Sequence, residues 1–79
     1  MAAEITVRYW AGAQRAAGVA EESLTVVTVA DLRATLAERA GFGRLAGVVS
    51  FLVDSQQAGD ALVLHGGAVV DVLPPFAGG

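Results

Sequence analysis

The sequence predicts an α+β fold in which one mixed sheet of four to five strands packs on one main helix. Three observations carry this. Two alternating segments, Ile5–Trp10 and Glu22–Val27, open the chain. One helical stripe follows, at Val29, Leu32, Leu36 and Ala40. Two further apolar runs, Val48–Val53 and Ala68–Leu73, come after it. Strands on both sides of a single helix, within 79 residues, leave room for one sheet with that helix laid across one face.

Each element has its own signal. In the first strand Ile5, Val7 and Tyr9 point one way and Thr6, Arg8 and Trp10 the other, the period of a half-buried strand. Residues 11–18 are small and include Gly12 and Gly18, so they are expected to connect a hairpin. The second strand places Leu24 and Val26 on one face. Thr28 is the expected helix N-cap, with Asp31 closing a capping-box pair near the positive end of the dipole. Gly41 is the expected residue just past the helix, and Phe42-Gly43 breaks the pattern. Val48–Val53 is short and β-rich, as a buried strand requires. Residues 54–59 look like a turn, 61–64 like a further short strand, and His65-Gly66-Gly67 like a tight turn. The last strand carries Val70 and Val72 on one face and Val69, Asp71 and Leu73 on the other. Pro74 ends it, because proline cannot donate to the ladder and keeps Leu73 extended.

Composition excludes several classes of function. There is no cysteine, so thiol nucleophiles and thiolate metal sites are absent, and the lone His65 cannot build a zinc site. No metal site is expected. The net charge is -3, and the five cationic residues, Arg8, Arg15, Arg33, Arg39 and Arg44, do not cluster, which argues against nucleic acid. No apolar run is long enough to span a bilayer, and the first residues lack the pattern of a signal peptide. A cytoplasmic location is the expectation. There is no lysine. Hydrophobic residues make up 54% of the chain and its mean hydropathy is +0.58, so part of the apolar surface is expected to lie on the uncovered sheet face, available to a partner.

The chain ends Leu73-Pro74-Pro75-Phe76-Ala77-Gly78-Gly79. This divides it into a domain over 1–73 and an extended tail over 74–79. Two prolines favour an extended, low-entropy segment, and six residues reach at most about 20 Å. Gly78 and Gly79, without Cβ atoms, fit a narrow channel. The Gly79 carboxylate is the expected reactive group. Pro74, Pro75, Phe76, Ala77 and Gly78 are the expected partner-binding residues, with Phe76 either the anchor in a partner groove or folded back on the core. Tyr9 and Trp10 are read as packing residues and His65 as an exposed turn residue. Asp71 either orients a partner arginine or faces solvent and discourages edge pairing. The arginines are read as solvated or rim contacts. No paired acid, triad or phosphate loop occurs, so the chain itself is not expected to catalyse a reaction.

The strand-hairpin-helix order and the Leu-Pro-Pro-Phe-Ala-Gly-Gly ending together resemble the β-grasp, ubiquitin-like sulfur carriers of the ThiS/MoaD type, over essentially the whole chain. The resemblance is nearest to small subunits of molybdopterin synthase. The sequence departs from the family pattern at Ala68, where an acid is usual, and at Asp54, where asparagine is more usual. The resemblance implies a non-catalytic, sulfur-donating subunit. An E1-like partner would adenylate the Gly79 carboxylate with ATP, and sulfur would replace AMP to leave a thiocarboxylate. That sulfur would pass to a cyclic pterin precursor in the large catalytic subunit, within an expected heterotetramer of two small and two large subunits. No cofactor is expected to be bound permanently. The same terminal chemistry also suits carriers for thiamine or cysteine synthesis. A ubiquitin-like protein modifier and a plain interaction domain remain as alternatives of other classes.

Overall fold

The computed structural model describes residues 1–75. Its elements are strand β1 (Ala3–Tyr9), helix α1 (Gly12–Ala17), β2 (Glu21–Val26), helix α2 (Val29–Ala37), a 3-10 turn (Gly43–Gly47), β3 (Ser50–Val53), β4 (Gln56–Ala58) and β5 (Val69–Leu73). The five strands form one sheet in the order β2-β1-β5-β3-β4. β1 pairs parallel with β5, and the other neighbours are antiparallel. The expected mixed sheet is therefore present, and its central strand is the last one in sequence.

The inner face of the sheet carries Ile5, Val7, Tyr9, Val70, Val72 and Phe51, each 3% exposed or less. α2 lies against it through Val29, Leu32 and Leu36, all fully buried. Burial of such side chains contributes about 1.5–3 kcal/mol each. The helix starts as its sequence directs. Thr28 Oγ1 accepts from the Asp31 amide at 3.1 Å, and the Thr28 amide donates to the Asp31 carboxylate at 3.0 Å.

Several expectations are corrected. Residues 11–18 do not form a plain hairpin connection. They hold the one-and-a-half-turn α1, because Ala13 can be fully buried there and Gly18, at φ 80°, supplies the left-handed cap. α2 ends at Ala37, with Glu38 as its cap in ordinary helical geometry. Ala40 lies beyond the helix and is exposed, and the buried contact passes to Phe42, whose ring meets Tyr9 at 5.7 Å. Gly41 is needed for a different reason than a helix cap. A Cβ there would sit 2.1 Å from the Ala16 carbonyl oxygen, so this glycine lets the chain pass against the end of α1.

The apolar run 48–53 is a strand only from Ser50, since Val48 is 55% exposed and closes the 3-10 turn. Residues 54–59 contain a two-residue turn, Asp54 (φ 49°) and Ser55 (φ 72°), followed by the polar edge strand β4. Residues 61–64 are not a strand. They make one isolated bridge, Val63 to Thr28, and bury only Leu64.

Candidate functional site

The candidate site is the root from which the C-terminal segment leaves the sheet. β5 lies between β1 and β3 and ends at Leu73. Pro74 is buried and Pro75 is exposed, so the chain passes from the packed domain to its surface between the two prolines. Phe76, Ala77, Gly78 and Gly79, expected to be the anchor and the reactive end, lie outside the described residues.

The root is fixed by side chains that strand periodicity places on one face. Arg8 and Asp71 are register partners across the parallel β1–β5 pair. Arg8 Nε donates to Asp71 Oδ1 at 2.7 Å and Nη2 donates to Oδ2 at 3.1 Å. The Trp10 indole Nε1–H donates to Asp71 Oδ1 at 2.9 Å. The Trp10 backbone amide donates to the Val72 carbonyl at 3.2 Å, and the Arg8 guanidinium lies 5.8 Å from the centre of the Trp10 ring. Donation from Arg8 holds the Asp71 carboxyl below the usual carboxylate range, against the opposing effect of burial.

Asp71 is only 6% exposed and its carboxylate binds Arg8 within the same chain, which corrects both earlier readings of it. Trp10 does not pack in the core. It is 48% exposed, with its indole tethered and part of its ring open. Leu52, Val69 and Leu73 lie on this same outer face, half-buried, where uncovered apolar surface is expected. The signal for this cluster was available in the alternation of Arg8 and Trp10 with Tyr9, and of Asp71 with Val70 and Val72. The parallel register that brings the two strands together has no signature in local sequence.

Arg39 and Arg33 also depart from the solvated reading, while Arg15 and Arg44 are exposed as expected. Arg39 pairs with Glu22, with Nη2 donating to Oε1 at 2.8 Å, and Glu22 also accepts from the Tyr9 hydroxyl. Donation from Arg39 lowers the Glu22 pKa, while burial, reinforced by Glu22, pushes the Tyr9 phenol up. Arg33 Nη1 donates to the Ala46 and Val49 carbonyls at 2.8 and 3.1 Å, Nη2 donates to Asp60 at 3.0 Å, and the guanidinium covers Phe51 at 4.8 Å. These are positions where a planar fork of donors is used and an ammonium would not substitute.

His65 is exposed, as expected, but has partners. Its Nε2 lies 2.7 Å from Asp54 Oδ2 and its Nδ1 lies 2.9 Å from the Gly66 carbonyl. Asp54 Oδ1 accepts from the Val69 amide at 3.0 Å, which ties the β3–β4 turn to the start of β5. Two open depressions flank α1, sharing Gln14 and Ala20 in their linings, and neither brings a serine nucleophile to a base. Among the described residues no cluster of potential ligands is arranged for a metal ion, and no helix is long and apolar enough to cross a membrane.

Comparison with known proteins places this geometry. The ThiS family model matches residues 7–79. No relative among curated sequences matches. The fold is that of small archaeal modifier protein 1 from Methanosarcina acetivorans, at TM-score 0.84 and 21% identity, covering 100% of this chain and 99% of that one. A putative molybdopterin converting factor subunit 1 from Pyrococcus furiosus aligns at TM-score 0.84 and 25% identity, over 92% of this chain and 98% of that one. A Helicobacter pylori complex of subunits 1 and 2 of molybdopterin-converting factor aligns at TM-score 0.75 and 23% identity, over 96% and 99%. The β-grasp, ubiquitin-like fold is thereby established for this chain.

Proposed function

The chain belongs to the ThiS family, and we propose that it is the sulfur-carrying small subunit of a molybdopterin synthase, working through the carboxylate of Gly79. The observation that carries this reading is the join between fold and tail. The central strand β5 is locked on both sides, its last turn of chain is Pro74-Pro75, and Phe76-Ala77-Gly78-Gly79 follows directly. A rigid root, a stiff step and two residues without side chains suit a probe that must enter another protein's active site.

The chemistry proposed for Gly79 proceeds in two balanced steps. A carboxylate is a poor electrophile, so its oxygen first attacks the α-phosphorus of ATP on an activating partner, releasing pyrophosphate and forming an acyl adenylate. Hydrosulfide then adds at the acyl carbon and AMP leaves, giving the thiocarboxylate; where the nucleophile is instead a donor persulfide, the resulting acyl disulfide is cleaved by a second thiol, which ends in a disulfide with the donor. The domain contributes binding and position. The acceptor site, and any group that moves protons there, belongs to the partner. The Helicobacter pylori complex, in which a protein of this fold sits with its subunit 2, supports a large-subunit partner of that kind here.

The test is co-purification of the full chain with its native activating enzyme and ATP, followed by intact mass. Replacement of one oxygen by sulfur at Gly79 supports a carrier. Covalent attachment of the chain to lysines of other proteins would make it a modifier instead. Stable association with a pterin-converting large subunit separates the molybdopterin pathway from the thiamine and cysteine pathways.

A further inference from the structure

We propose that this protein pairs with a second copy of itself by adding β2 to β2, antiparallel about a two-fold axis at Ser23, so that two sheets become one continuous sheet. The pairing is independent of the chemistry at Gly79. β1 separates β2 from β5, so the root of the C-terminal segment is not on the paired edge.

The strand order leaves two edges, β2 and β4. β4 has three residues, too short to be a good template. β2 has six, and its register with β1 runs from Arg8↔Glu21 to Ala3↔Val26 without a bulge. The direction of its backbone groups follows from β1. The Thr6 and Trp10 amides donate to the Ala68 and Val72 carbonyls, toward β5, whereas the Tyr9 amide donates to the Ala20 carbonyl, toward β2. By alternation Ile5 and Val7 bond Leu24 and Glu22, and the amides and carbonyls of Glu21, Ser23 and Thr25 turn outward. These three residues are exposed, and among the described residues no loop or helix backbone bonds to them. Beyond Thr25 the row closes, because the Val27 carbonyl accepts from the Leu64 amide. Ser23 is therefore the centre of the open row, where a two-fold axis uses every free group.

A second copy is the occupant whose side chains fit. With the axis at Ser23, the outward pairs are Ser23 with Ser23 and Glu21 with Thr25. Two hydroxyls meet at the centre, a favourable cross-strand pair. The two Glu21 carboxylates lie about 13 Å apart along the strands, and each meets a Thr25 hydroxyl able to donate to it. On the other face Leu24 is half-buried, and Leu24 of the second copy is its diagonal neighbour across the axis. Contact between them covers apolar surface that each leaves open. Glu22 lies opposite Leu24 of the second copy, and its carboxylate is already bound by Arg39 and Tyr9.

The test is sedimentation equilibrium of the full chain from micromolar to millimolar concentration. The mass should rise from 8.0 kDa toward that of a dimer. Hydrogen exchange should show the Ser23 and Thr25 amides open in dilute solution and protected in the concentrated sample, with Leu24 protected in both. Ser23→Lys sets like charges against each other at the axis. It should hold the chain monomeric throughout, with thermal unfolding of the dilute protein unchanged. Thr25→Lys sets a cation against Glu21 of the second copy on both sides of the axis and should tighten dimerisation by roughly 2- to 30-fold. A monomer at every concentration would overturn the proposal. So would a dimer that persists in Ser23→Lys or is not tightened by Thr25→Lys.

Discussion

Arg8 and Asp71, 63 positions apart in sequence, face each other across the parallel β1–β5 pair and share two hydrogen bonds. Asp71 is buried and Arg8 remains half-open to water, so the two are not equivalent. Asp71→Ala strands the Arg8 fork and the Trp10 indole N–H and should cost about 1–3 kcal/mol. Arg8→Ala should cost at least as much, because it leaves the buried Asp71 carboxylate with the Trp10 N–H alone, whereas the half-exposed Arg8 guanidinium left by Asp71→Ala is still reached by water. Urea unfolding of the two variants checks the order. The Asp71 pKa is depressed in the folded state, so its contribution is present above the unfolded carboxylate value and is lost as pH falls through the folded one.

Gly41→Ala should destabilise the fold, by about 1–3 kcal/mol or more, because the added methyl group meets the backbone oxygen of Ala16 and no side chain can give way. Gly59→Ala is the control, since a Cβ there meets open space and its φ lies outside the left-handed region. Thermal unfolding should separate the two clearly. Equal melting temperatures would contradict the packing account.

Tyr9→Phe should be mild, costing about 1 kcal/mol, because Glu22 keeps both hydrogen bonds from Arg39 when the phenol is lost. Arg39→Ala should be worse in proportion, because it leaves Glu22 half-buried with only the Tyr9 hydroxyl. Denaturant midpoints of the two variants provide the comparison.

Much of this fold is legible in local sequence because its signals are local. Thr28 and Asp31 specify a helix start by mutual hydrogen bonding, and Val29, Leu32 and Leu36 give the stripe. The alternation of Ile5, Val7 and Tyr9 gives the inner face of β1. The errors fall where tertiary contact overrides a local cue. Gly18 reads equally as a turn residue or a helix cap, and buried Ala13 decides for the helix. Gly41 reads as a cap, whereas its requirement comes from Ala16, distant in sequence. β4 is polar because it is an edge, and only its pairing with β3 makes it a strand. The tail was legible as motif, in its prolines and glycines. The Arg8–Trp10–Asp71 root was not, because it depends on a parallel register between the first and last strands.

His65 should titrate above the ordinary histidine range, because Asp54 and the Gly66 carbonyl both favour its protonated form. With a raised folded pKa, its contribution to stability is complete below the unfolded value and is lost as pH rises through the folded value. Proton NMR of the single imidazole measures this directly. Asp54→Asn should bring the value down toward the ordinary one, and a wild-type value at or below the ordinary range would contradict the pairing.

Gly78→Ala should leave the unfolding curve unchanged and impair sulfur transfer, because the Cβ is added on the segment proposed to enter a partner. Normal transfer by that variant would remove the argument for a narrow channel.

The central claim is tested most directly by intact mass spectrometry of the full chain after incubation with its native activating enzyme, ATP and a sulfur source. The account predicts a population in which one oxygen at Gly79 has been replaced by sulfur, lost on deletion of Gly79. An unchanged mass under conditions where the same enzyme activates another carrier would contradict it.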